Sequence, residues 1–178
     1  MTWTSYHRRG DVLRTVVERA DQRRDGILPT DVAGVSETFR DDLDLLGALS
    51  LKWHTRLAGR IEGELASQPL DLEAAVVRAW QSTARDLAGV RSVLDRALAA
   101  HPDPDVVAAL EKAAAKEHVL LALMAGRSST ADDVAARVGR AIAERARDTL
   151  VAQPEVSVTR HQPRVIDHLL HRLRTLAA

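Results

Sequence analysis

The sequence predicts an all-α protein, an antiparallel bundle of five to six helices. Three observations lead there. Apolar residues recur at steps of three and four through most of the chain, the spacing of one helix face. The breaks between these stretches carry helix-stopping and helix-capping residues: Asp25-Gly26, Pro69 with Asp71, Pro102-Asp103-Pro104, Gly126 and Pro154. No stretch alternates apolar and polar residues over the length of a strand.

A first helix, over about 6–24, sets Val12, Leu13, Val16, Val17 and Ala20 on one side and stops at Asp25-Gly26. One long helix follows, near residues 36–67. Phe39, Leu43, Leu46, Trp53, Leu57, Ile61 and Leu65 share its face, and Ser50 is the one polar position there. At ~1.5 Å per residue such a helix is close to ~50 Å long, with room for a bend at Gly47 or Gly59. Gly59 and Gly63, four apart, would admit a neighbouring backbone. Asp71 caps the third helix, in which Val76, Trp80, Thr83, Leu87, Val90, Leu94 and Ala97 form the most regular heptad of the chain. Gly89 is where that helix would break. Asp103 as N-cap and Pro104 at the first helical position open a fourth helix that ends at Gly126. Ser129 or Thr130 caps a fifth, to about residue 152, and Pro163 opens a last one to Leu176. The chain thus divides into an N-terminal helix and connection (1–30), a bundle core (31–153) and a basic amphipathic C-terminal helix (154–178).

Composition bounds the function. A domain of about this size buries roughly 70% of the surface its unfolded chain exposes, so 178 residues build a core unaided. The absence of cysteine excludes disulfides, thiol catalysis and thiolate metal sites, and it fits a reducing compartment. Met1 to Ser5 are polar with no apolar run behind them, so no signal peptide is expected. No run approaches the ~18 apolar residues of a membrane span. The reading is a cytoplasmic protein without a membrane partner. Charges balance at 25 against 25, so no overall pull toward nucleic acid exists and no nucleic-acid partner is expected.

Chemistry-bearing residues are few. A di-iron bundle needs Glu-x-x-His on two helices, and none of the seven histidines follows an acid by three. His168 and His171 share a face, with Asp167 nearby, and zinc would accept such ligands. Both lie on the polar side of a helix whose other side is Val165, Ile166, Leu169, Leu170, Leu173 and Leu176. No metal is assigned to them. With Arg164 and Arg172 they form instead a candidate partner surface, unless this helix docks on its own bundle.

The fourth helix has an apolar stripe of Val107, Leu110, Ala114, Leu121 and Met124 with Glu117 in its middle. On the fifth, Val134, Val138, Ala141 and Thr149 define the stripe, and Arg145 lies within it. A charge at a core position is costly unless paired. The expectation is a buried, bidentate Glu117–Arg145 pair that fixes helix register. The other use of such a pair is the polar floor of a ligand pocket, lined also by Trp53, His54 and Trp80. There is no Gly-x-Ser-x-Gly, no phosphate-cradling glycine loop and no zinc signature, so neither an enzyme nor a cofactor is expected.

Two resemblances bear on the class. Asp31-Val32-Ala33-Gly34 followed by Val35-Ser36-Glu37-Thr38-Phe39-Arg40-Asp41-Asp42-Leu43 resembles the end of the helix-turn-helix of TetR-type regulators. There a Gly-Val-Ser turn leads through an aromatic residue to a Leu that starts the long connecting helix. The resemblance implies that the later helices form a ligand-binding, dimerising domain. These regulators place a full helix before that turn, whereas only residues 29–34 are available here, and no recognition helix is assigned. The runs LKWHTRLAGRIEGEL, LDLEAAVVRAW and AKEHVLLALMAG are similar to a group of short helical actinobacterial proteins of unassigned function. That likeness implies a bundle and no activity.

The sequence therefore predicts a non-enzymatic helical interaction protein, a homodimer that meets an unidentified protein partner through helix faces. The alternative is a small-molecule-responsive regulator with an internal pocket. Cavity content separates the two: a filled core with an exposed apolar stripe, or a cavity of several hundred Å3 lined by tryptophan.

Overall fold

The computed structural model describes residues 3–152, and these are helical with no strand among them. The chain forms α1 (Trp3–Arg23), α2 (Val35–Thr38), α3 (Asp42–Ala66), α4 (Leu72–Asp86), α5 (Ala88–Ala100), α6 (Pro104–Met124) and α7 (Asp133–Ala152). The predicted C-terminal helix, with Arg164, His168, His171 and Arg172, lies outside the described residues.

Aspartates start the helices. Asp41, Asp71 and Asp103 cap α3, α4 and α6 by accepting from the backbone N–H of Asp44 (2.7 Å), Ala74 (2.9 Å) and Asp105 (2.9 Å). At α7 the cap is Asp132, which accepts from Ala135 N–H at 2.9 Å, and not Ser129 or Thr130. Thr130 instead donates its hydroxyl to Asp132 at 2.8 Å. Helix α5 has no side-chain cap of its own. Asp21 of α1 supplies one across the bundle, accepting from Gly89 N–H at 2.7 Å.

Two breaks raise the helix number above the expected five to six. The long helix is interrupted at Phe39, which is extended (φ −116°, ψ 134°), so α3 begins at its own cap, Asp41. Phe39 is still buried, and the Arg9 guanidinium lies 4.3 Å from its ring centroid. The heptad helix breaks at Leu87 into α4 and α5, two residues before Gly89. Between α1 and α2, residues 24–34 run through turns and bends, and α2 is a single turn.

Helix α3 packs against α4, α5 and α6, α1 lies along α5, and α6 and α7 form a tight antiparallel hairpin. The core centres on Trp53, Trp80, Leu46, Leu49, Leu57 and Leu121, none more than 1% exposed. Close backbone approaches occur at glycines other than the expected pair. A Cβ on Gly139 would lie 1.7 Å from the His118 carbonyl oxygen, and one on Gly89 would lie 2.1 Å from the Ala20 carbonyl carbon. A Cβ on Gly59 or Gly63 would meet nothing within 4 Å.

The buried face of α7 is Ala135, Gly139, Ile142, Ala143 and Ala146. That is one position round from the expected stripe of Val134, Val138, Ala141 and Arg145. Small side chains let the α6 backbone come close, and the larger Val134 is left 55% exposed at the edge.

Gly139→Ala therefore forces α6 and α7 apart and should lose about 1–3 kcal/mol or more of stability. Gly10→Ala, in α1 where a Cβ meets nothing within 4 Å, should instead gain up to about 1 kcal/mol from helix propensity. Urea unfolding of the two variants checks the opposite signs.

Candidate functional site

Glu117 of α6 is 4% exposed and sits where α3, α4 and α5 converge. Trp53 of α3 and Trp80 of α4 meet edge to face, with ring centroids 5.8 Å apart and planes at 74°. Each indole donates to one oxygen of the same carboxylate: Trp53 Nε1 to Oε2 and Trp80 Nε1 to Oε1, both at 2.9 Å. Indole N–H groups buried in a core need such an acceptor. Arg91 of α5 approaches the two oxygens at 3.5 and 3.3 Å. Its guanidinium also lies 5.0 Å from the Trp53 ring centroid and 5.8 Å from that of Trp80.

The charge is passed outward from there. Arg91 donates to Asp95 at 2.5 and 3.0 Å, and Asp95 accepts from Arg147 of α7 at 3.4 Å. Burial by itself would lower the Arg91 pKa, but Glu117 and then Asp95 outweigh it and hold the guanidinium above its ordinary value. His118, next to Glu117 in the chain, is pulled below the usual imidazole range by burial, against the opposing pull of Glu117.

His54 occupies the fourth side. Its Nδ1 lies 2.7 Å from the Ser50 carbonyl oxygen, and its Nε2 is 3.9 Å from Glu117 Oε2. That Nε2 is buried without a hydrogen-bond partner among the described residues. The cavity lined here by Ser50, Trp53, His54, Leu110 and Glu117 measures about 30 Å3, the scale of a water molecule.

Arg145 is not part of this cluster. Its side chain is 59% exposed and pairs with Glu73 of α4, which also accepts from Arg127 Nε at 2.5 Å. The expected Glu117–Arg145 bridge is thus two separate clusters, because the inward face of α7 is the alanine-glycine face and Arg145 stands beside it. Of the expected pocket residues, Trp53 and His54 line the cavity of about 30 Å3, and Trp53 and Trp80 both bond Glu117. Sequence reasoning missed Arg91, Asp95 and Glu73. The signal for Arg91 was its spacing of four from Asp95 beside the apolar pair Val90 and Leu94.

Larger spaces lie on the outside. Between α1 and α3 an open groove of about 630 Å3 is lined by Arg9, Leu13, Leu43, Gly47, Ala48 and Leu51, among others. Leu51 is 68% exposed. Arg9 bonds Asp44 at 2.8 Å across one end, and this bond holds the Asp44 carboxyl below the usual carboxylate range. A second cleft of about 630 Å3, more polar, spreads from Arg91 and Asp95 to His118, Arg140, Glu144 and Arg147. Among the described residues no three His, Asp or Glu side chains are placed to hold a metal ion. No described helix is long and apolar enough to cross a membrane. No protein-family model, curated protein or solved structure matches the chain.

Removing Glu117 strands a buried guanidinium and two indole donors, so Glu117→Ala should lose about 3–5 kcal/mol. Arg145→Ala removes a mostly exposed charge and leaves Glu73 its other arginine, so it should lose less than about 1 kcal/mol. Urea unfolding of both proteins gives the contrast, and equal losses would contradict the assignment of partners.

Proposed function

We propose that this chain is a non-enzymatic helical interaction protein of the cytoplasm, homodimeric, which contacts a protein partner through helix faces. One observation carries the reading: the interior is filled while an open, largely apolar groove runs along the outside of α3. Single exposed leucines are ordinary on a protein surface; a groove that gathers Leu13, Leu43, Ala48 and Leu51 is what supports the reading. The balance of charge and the lack of any catalytic motif are consistent with it. The alternative, a regulator that senses a small molecule, needs several hundred Å3 beside Trp53, His54 and Trp80. The cavity beside Trp53 and His54 is about 30 Å3, and the cleft of about 630 Å3 that Glu117 and Arg91 also border is an open one among charged side chains of α5, α6 and α7. The basic C-terminal surface of Arg164, His168, His171 and Arg172 is the second candidate for partner contact.

Affinity capture from the native host tests this with three baits: the wild-type chain, Leu51→Asp, and Arg164→Glu/Arg172→Glu. The expected result is a protein captured by the wild type and lost with one of the two altered baits, helicity being unchanged. Capture indifferent to both faces, together with a small molecule retained in native mass spectrometry, would favour the sensor.

A further inference from the structure

His54 follows Ser50 by one turn of α3, and the two nitrogens of its ring meet unlike surroundings. Nδ1 lies 2.7 Å from the Ser50 carbonyl oxygen. A carbonyl only accepts, so in the neutral ring the proton sits on Nδ1 and Nε2 carries a lone pair. Nε2 is buried, has no hydrogen-bond partner among the described residues, and lies 3.9 Å from Glu117 Oε2. That gap is too long for a hydrogen bond, and the atoms on both sides of it are acceptors. Buried acceptors in proteins are met by donors.

The surroundings define the donor. The space beside these two atoms, bounded also by Ser50, Trp53, Leu94, Leu110 and Ala114, measures about 30 Å3. Roughly 10–15 Å3 is enough to hold one water, and nothing much larger fits. The space shares Arg91, Leu98, Ala114 and Glu117 with the polar cleft between α5, α6 and α7, which gives an occupant a way in.

Charge selects a neutral occupant. Glu117 meets Arg91, Arg91 also meets Asp95, and Asp95 meets Arg147, so two acids face two bases. Burial holds His118 below the usual imidazole range, which favours its uncharged form. Glu111, Arg140 and Glu144, also on the cleft, are exposed to solvent. An ammonium ion would bring an unmatched charge into the cluster.

We propose that Glu117 and His54 hold one water between them, which donates one hydrogen to Glu117 Oε2 and the other to His54 Nε2. Two ordinary bonds of ~2.8 Å close a gap of 3.9 Å with the water set to one side of the line between the acceptors. Ser50 Oγ and the Arg91 guanidinium border the same space and are the donors at hand for its oxygen. His54 is then a positioning residue. Through the water it gives α3 a second hold on the α6 carboxylate, beside the direct bond from Trp53 to the same oxygen.

Nuclear magnetic resonance of the full chain at neutral pH, labelled with 15N at histidine, tests this. His54→Gln identifies the His54 signals among the seven histidines. In wild type His54 should show a protonated Nδ1 and a bare Nε2, the latter shifted upfield from a free lone pair by a hydrogen bond. The carbon-bound ring protons Hδ2 and Hε1, which flank Nε2, should give Overhauser peaks to water with the sign of a held molecule. Those peaks should survive in Ser50→Ala, which removes the hydroxyl able to relay them, and be lost in Ala114→Val, whose added methyl groups enter the space. An imidazolium, or a proton on Nε2 alone, would overturn the inference, because His54 would then donate toward Glu117 itself. Ring protons that sense only fast surface water would overturn it too. So would His54 signals that move with ammonium chloride and not with sodium chloride, since the occupant would then be a cation.

Discussion

An ionised carboxylate placed among leucines and tryptophans is stable only if protein groups replace the water it has left, and Glu117 is such a carboxylate. The uncompensated cost is several kcal/mol even after relaxation. Glu117 meets it with one indole N–H on each oxygen and a guanidinium across both. The donors come from α3, α4 and α5, and the acceptor from α6. Any slippage among these four helices would break a bond to a buried charge. The cluster therefore fixes their register more strictly than interchangeable apolar contacts could.

The rest of the bundle is arranged around that register. Helix α7 is held to α6 by close backbone approach at Gly139, and it reaches the cluster through the Asp95–Arg147 contact. Helix α1 is held to α5 in the same manner at Gly89, where Asp21 also satisfies an N–H that α5 leaves open. These contacts leave the outer side of α3 with little to cover it. A filled, charge-locked interior and an open, largely apolar groove between α1 and α3 are thus two results of one packing solution.

Much of this was legible in the sequence, for reasons specific to each residue. A glutamate in the centre of an apolar stripe can only be a buried charge or a misplaced helix, and the apolar spacing of the two helices put Trp53 and Trp80 inside. The partner of Glu117 was not legible from the same wheel. Valine outranks alanine and glycine in any hydrophobic ranking, so Val134 and Val138 pulled the inferred face toward Arg145. Close packing instead selects the smallest side chains, Ala135, Gly139 and Ala146. Arg91 escaped notice because it borders its stripe and reaches inward with a long side chain. Glu73 lies in the first turn of α4, where an acid is ordinary and gives no sign of burial. Phe39 fitted the helical spacing although Asp41, two residues on, is a cap. Periodicity reports which residues are buried more readily than where the backbone turns.

Hydrogen exchange at the indole nitrogens tests the central claim most directly. In a protein labelled with 15N at tryptophan, the Trp53 and Trp80 Nε1–H resonances report the two bonds to Glu117 separately. If that carboxylate anchors four helices, both protons should exchange only through global unfolding, at the rate of the slowest core amides. Both resonances should also shift together in Glu117→Gln. Rapid exchange of either indole proton in the native protein, or a shift confined to one of them, would show that the carboxylate does not hold both tryptophans and would contradict the account.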